Sequence, residues 1–114
     1  MIIDTARHPG PRKRSSTVKW SGLAGTDTGD LLFAGGFNDK SVHVFGTFDG
    51  ATVTINGGNV DDVTNTVALK DYAGSALAFT VAGVNSIRDN IAYIHPVVTG
   101  GGGSTDLTVV VFME

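Results

Sequence analysis

The chain has 114 residues, 41% of them hydrophobic and only 17% charged, which suits one globular domain with a genuine core and excludes a disordered chain. It has no cysteine, so neither a disulfide framework nor a thiolate metal site can form. Net charge is −3 but unevenly spread: residues 1–20 hold five basic side chains against Asp4 alone, a net +4, and the rest hold Lys40, Lys70 and Arg88 against ten acids, a net −7. Such asymmetry implies that the basic end binds something acidic, either neighbouring copies of the acidic body or a larger acidic surface. No apolar run approaches the ~18 residues of a transmembrane helix, and the N-terminus lacks the apolar stretch of a secretory signal. The expectation is a soluble protein made in the cytosol.

In residues 1–16, Pro9, Gly10 and Pro11 forbid a helix. This stretch reads as an extended arm that orders on contact. Ile2 and Ile3 form an apolar anchor, and Arg7, Arg12, Lys13 and Arg14 are the contact residues. Three adjacent charges without interleaved aromatics make a poor nucleic-acid site, and DNA would repel the acidic body. Thr17 to Leu23 reads as a strand carrying the only tryptophan, Trp20, a residue for a core or an interface. Asp27 and Asp30 lie in the following loop; their spacing does not match a calcium loop and suits turn formation. Leu31 to Phe33 is a short strand. Ser41 to Phe48 is another, with Val42 and Val44 on one face and His43, Phe45 and Thr47 on the other. A strand apolar on both faces implies that one face meets a partner.

The most regular stretch runs from Gly46 to Asp71. Ala51, Val53 and Ile55 alternate with Thr52, Thr54 and Asn56, the period-2 pattern of a half-buried strand. Thr66 to Lys70 repeats the pattern with Val67 and Leu69 as the inward pair, so two antiparallel strands joined by a polar loop are expected. Ala76 to Val81 follows as a strand. Val84 to Asn90 is the one helical turn expected, closing an end of the sheets with Val84 and Ile87. Ile91 to Thr99 is a strand in which Pro96 implies an edge or a bulge. Gly100 to Ser104 reads as a flexible hairpin loop. Asp106 to Met113 puts Leu107, Val109, Val111 and Met113 on one face and Val110 and Phe112 on the other.

Seven or eight strands with turns every 8–12 residues point to an all-β fold, a single antiparallel β-sandwich of Ig-like or jelly-roll-like form over residues 17–114. Trp20, Phe45, Val110 and Phe112 are the candidate oligomer contacts.

Chemistry is sparse. His8, His43 and His95 have no metal-ligand spacing, and His95 reads as a satisfied strand residue. No serine sits in a nucleophile motif, and the one glutamate is Glu114. Asp61 and Asp62 read as a solvated loop tip. No catalytic, cofactor or metal site is expected, and an enzyme is not expected.

Three segments carry a resemblance: VKWSGLAGTDTGDLLFAGGFNDKSVHVFGTFDGATVTING (18–57), VALKDYAGSALAFTVAG (67–83) and IAYIHPVVTGGGGSTDLTVVV (91–111). They resemble the tryptophan strand, the GL…GDTG loop, the SV.V.GTF.GATV.I.G run and the closing GST.LTV run of a family of small structural proteins of tailed bacteriophages. The resemblance spans roughly residues 17–112. It implies a virion structural role, a head decoration or cement protein on the outer capsid surface, synthesised in the host cytoplasm. Its partners would be the major capsid protein and itself, as a homo-oligomer with a trimer favoured. A tail or neck component and a carbohydrate-binding adhesion module are the alternatives. Family members carry a Ser-Asn-Asp-Gly turn followed by an aromatic where this chain has Gly57-Gly58-Asn59-Val60-Asp61-Asp62, so any contact made by that loop does not carry over. Residues 1–16 lie outside the resemblance.

Overall fold

The computed structural model describes residues 2–7, as backbone, and residues 15–114. They form ten strands: β1 (Ile2–Arg7), β2 (Ser16–Leu23), β3 (Leu32–Phe33), β4 (Lys40–Thr47), β5 (Thr52–Gly58), β6 (Val67–Ala68), β7 (Ala78–Phe79), β8 (Gly83–Ile87), β9 (Tyr93–Thr99) and β10 (Asp106–Met113). One sheet has the order β1-β2-β10-β4-β8. The other has the order β3-β9-β5-β6, with β7 also pairing β5. All these pairings are antiparallel. The all-β sandwich expected from the alternation is what forms.

Alternation decides which side chains meet. Val18, Trp20, Val42, Val44, Leu107, Val109, Val111 and Met113 from the first sheet share one buried cluster with Val53, Ile55, Ile94 and Val98 from the second. Each such side chain contributes about 1.5–3 kcal/mol on burial, which is what holds a cysteine-free domain together. Trp20 and Leu23 are three residues apart and would face opposite ways on a regular strand, yet both are fully buried. The β2–β10 register explains this. Leu107 pairs Leu23 and Val109 pairs Trp20, so β2 carries one extra residue at a bulge. Gly22, at φ 68°, supplies the left-handed backbone there.

Several expectations need correction. Gly83–Ile87 is a strand paired with β4 from Gly83 opposite Val44 to Ile87 opposite Lys40, so no helical turn forms at 84–90. A vacant sheet edge and a β-branched sequence outweigh one weak helical turn. Ile87 reaches the core, while Val84 stays 64% exposed. The one helical piece among the described residues is a 3₁₀ turn at Val63–Asn65, capped by Asp62, whose carboxylate accepts from Thr64 N–H. In the pair expected inward at β6, Leu69 is buried but Val67 is 67% exposed. Residues 100–105 are no hairpin loop: they cross from β9 in one sheet to β10 in the other.

Pro96 lies within β9, an interior strand, with no bulge in the β5–β9 register. Its carbonyl accepts from Gly29 N–H, on the flank away from β5, so its nitrogen faces that flank too and the missing N–H costs the β5–β9 ladder nothing. The expected arm is also partly sheet. Residues 2–7 pair with β2, Ile2 opposite Ser21 and Arg7 opposite Ser16, as an edge strand.

Candidate interaction surface

The outward face of the first sheet follows from register. Residues opposite one another share a face. Phe112 stands between Thr17 and Ser41, Val110 between Lys19 and His43, and Thr108 opposite Phe45; Ser41 and His43 in turn face Ser86 and Val84. Because Val42, Val44, Val109 and Val111 turn inward, this set turns outward. Phe45 is 39% exposed and Phe112 38%. His43 lies against Phe45 with ring centroids 5.0 Å apart at 54°. The result is an apolar band of Phe45, Val110, Phe112 and Val84 on an otherwise Ser/Thr-rich sheet face.

At the end of this band, Phe112, Tyr72, Ser41, Ser86, Asp39, Lys40 and Glu114 line a cleft of about 220 Å³. Tyr72 is held there by the loop after β6, where the Asp71 carboxylate accepts from the N–H groups of Ala73 and Ser75 and from Asn85 Nδ2. Lys40 is almost wholly buried, and its ammonium donates to the Phe37 carbonyl at 2.9 Å.

Three of the four interface candidates, Phe45, Val110 and Phe112, therefore stand together on one face. Trp20 does not. It is fully buried and its Nε1–H donates to the Asp30 carbonyl at 3.0 Å, so it is a core residue and is withdrawn from the interface. Of the arm residues, Ile2, Ile3 and Arg7 occupy β1, with Ile3 opposite Trp20. Arg12, Lys13 and Arg14 lie outside the described residues.

The second sheet treats its outer face differently. His95 stands opposite Asn56 on that face, yet it is 1% exposed. Its Nδ1–H donates to the Gly29 carbonyl at 3.0 Å, and its Nε2 lies 2.9 Å from the Thr66 hydroxyl, so it ties two loops across the sheet. Burial lowers its pKa, partly offset by the Gly29 bond, which favours a neutral ring with Nε2 as acceptor. His95 is thus the satisfied strand residue expected of it. What it bridges was not legible, because both partners are distant in sequence.

Asp27 accepts from Ala24 N–H and Asp62 caps the 3₁₀ turn, the turn-forming and loop-tip roles expected of them. Among the described residues, no group of three or more His, Asp or Glu side chains could hold a metal ion, and no helix is long and apolar enough to cross a membrane.

No protein-family model and no curated protein matches the chain. Among solved structures, the crystal structure of the SPBc2 prophage-derived protein YomS is similar to it, with a TM-score of 0.63 and 12% identity over 99% of this chain and 95% of that one. The likeness therefore extends over the whole sandwich and speaks for the fold.

Proposed function

We propose that the protein is a non-enzymatic phage structural protein, a head decoration or cement protein that binds the outer surface of the capsid as a homo-oligomer. The observation that carries this reading is the apolar band of Phe45, Val110, Phe112 and Val84 on the outward sheet face, with Phe45, Phe112 and Val84 exposed and Val110 half-buried between them. The prophage origin of a protein with a similar fold supports it, as does the resemblance of residues 17–112 to phage structural proteins.

A trimer would bury the band by heterologous contacts that close after three copies, leaving the basic N-terminal residues to reach the acidic surface of the shell or of a neighbouring copy. The major capsid protein is the partner in this reading, and the capsid surface of the virion is the location. A glycan-binding adhesion module is the second reading. Phe33, 60% exposed and edge-on to Tyr93 at 5.5 Å, is the observation in its favour.

The test is the copy number of this chain per purified virus particle, by quantitative mass spectrometry against the major capsid protein. Near-parity with the shell protein is expected. A few dozen copies or fewer would move the protein to the tail or neck, and a glycan array would then separate a structural from an adhesive role. Absence from the particle would overturn the structural reading.

A further inference from the structure

A second cleft, of about 540 Å³, lies at the edge of the other sheet between β6 and residues 88–91. Val67, Leu69 and Ile91 give it apolar walls, and Gly57 and Gly58 add no side chain to fill it. Val67 meets solvent there, at 67% exposure. The cleft also holds positive charge. The lysines and arginines of residues 15–114 are Lys19, Lys40, Lys70 and Arg88. Lys40 is buried, and Lys19 stands on the outer face of the first sheet, which leaves Lys70 and Arg88, both in the cleft lining. Asp89 divides its carboxylate between them, one oxygen accepting from the Arg88 guanidinium and the other from Lys70 N–H. The Lys70 ammonium is left without a hydrogen-bond acceptor among the described residues.

The same chain carries a complementary knob. Residues 59–66, between β5 and β6, present Val60 at 57% exposure and Val63 at 45%, with exposed Asp61 between them. The knob is held in shape by Asp62, whose carboxylate accepts from Thr64 N–H, the Thr64 hydroxyl and Asn65 Nδ2. The Asp61 carboxylate has no partner among the described residues. A turn fixed by polar bonds gains nothing from two valines in water, whereas an apolar cleft that receives them gains their burial without having to order them. Two acidic bodies repel unless their contact sets an acid of one against a base of the other, and Asp61 against Lys70 does so.

We infer that the cleft receives the knob of a second copy, residues 60–63, with Asp61 of one chain against Lys70 of the other. Knob and cleft adjoin, because Gly58 lies two residues before Val60 and Val67 four after Val63. A two-fold axis beside them therefore makes both contacts at once, an isologous interface in which every residue counts twice. This seat is on the second sheet and the apolar band is on the first, so the inference goes beyond the decoration reading and stands without it.

Sedimentation equilibrium tests it, as the dissociation constant of the full chain, of Asp61→Lys, of Lys70→Glu and of the double exchange D61K/K70E. Trp20 fluorescence confirms that each variant is folded. Each single reversal is expected to weaken association about tenfold or more, because it acts at both symmetric contacts, and the double exchange to return it to within about threefold of the parent. The series is repeated in an F45S/F112S background, which removes the band. A parent that stays monomeric at about 1 mM, single reversals without effect, or a double exchange that restores nothing would each overturn the inference. Association lost with F45S/F112S but indifferent to D61K and K70E would overturn it too, and would leave the decoration reading in place.

Discussion

Replacing His95 with Phe keeps a planar ring in the site and removes both nitrogens, which isolates what the two cross-loop bonds contribute. His95 is 1% exposed and Gly29, whose carbonyl takes the Nδ1–H, is also buried. Each lost hydrogen bond is worth about 1 kcal/mol, and a buried carbonyl left without a donor costs about 1–3 kcal/mol. The expected loss is therefore about 2–4 kcal/mol, a large part of the ~5–15 kcal/mol that a domain has. Urea unfolding followed by fluorescence is the assay, because Trp20 is the only tryptophan and is fully buried. The pH dependence gives a second readout. The folded-state pKa of His95 is lowered by burial, so the unfolded chain binds the proton more readily. Stability is then complete above the unfolded value of about 6.5 and is lost as pH falls toward the folded value, by at most about 1.4 kcal/mol per pH unit for one proton. H95F should lose that slope between pH 7.5 and 5. An H95F chain as stable as the parent, or one with the parent's pH slope, would refute the account.

Four further outcomes follow from the same packing. Trp20→Ala should cost about 3–5 kcal/mol in calorimetry, as for a fully buried aromatic; a change under 1 kcal/mol would return Trp20 to the surface. Gly25→Ala places a Cβ 2.6 Å from the Gly101 carbonyl oxygen, a backbone atom that cannot step aside, so about 1–3 kcal/mol should be lost, and an unchanged melting temperature would contradict the close approach. Asn56 Oδ1 is buried without a hydrogen-bond partner among the described residues, so Asn56→Thr on this central strand should stabilise by about 1 kcal/mol; a loss in urea unfolding would mean that the amide is engaged. Phe45→Ser with Phe112→Ser should change monomer stability by less than about 1 kcal/mol while lowering the sedimenting mass of any oligomer and weakening binding to heads; unaltered association would remove the band from the interface.

The sandwich was legible because its inward residues alternate without interruption: Val42 and Val44, Val53 and Ile55, and Val109 and Val111 each lie two apart. The errors arise where the third dimension overrides the local pattern. Val84 and Ile87 have helical spacing, but β4 offers a free edge, and pairing along five residues outweighs one unsupported turn. Val67 alternates in phase with Leu69, yet it lies on a two-residue edge strand and stays exposed. Trp20 was ambiguous between core and interface because its burial depends on the bulge at Gly22, whose extra residue appears only when β2 is set beside β10. The outward group of Phe45, Val110 and Phe112 could be read residue by residue. That they form one band needed the β4–β10 register, which sequence alone does not supply.

The two sheet faces that turn away from the core differ in where they are covered. On the second sheet the chain covers the middle and leaves the edges open, with Phe33 60% and Val67 67% exposed. The Asp27–Gly29 loop bonds to Pro96 and Val98 along β9, and Thr66 closes over His95, so a polar ring that would sit in water on an open sheet is instead 1% exposed. On the first sheet the loop carrying Tyr72 reaches the outer face beside Phe112, while Phe45 and Val84 stay in solvent, although they would gain more from cover than a histidine does. The 3₁₀ turn capped by Asp62 and the β9 loops show that this sequence can build covers. Phenylalanines left in solvent on a sheet face are where another protein can dock, and the proposed association rests on this surface.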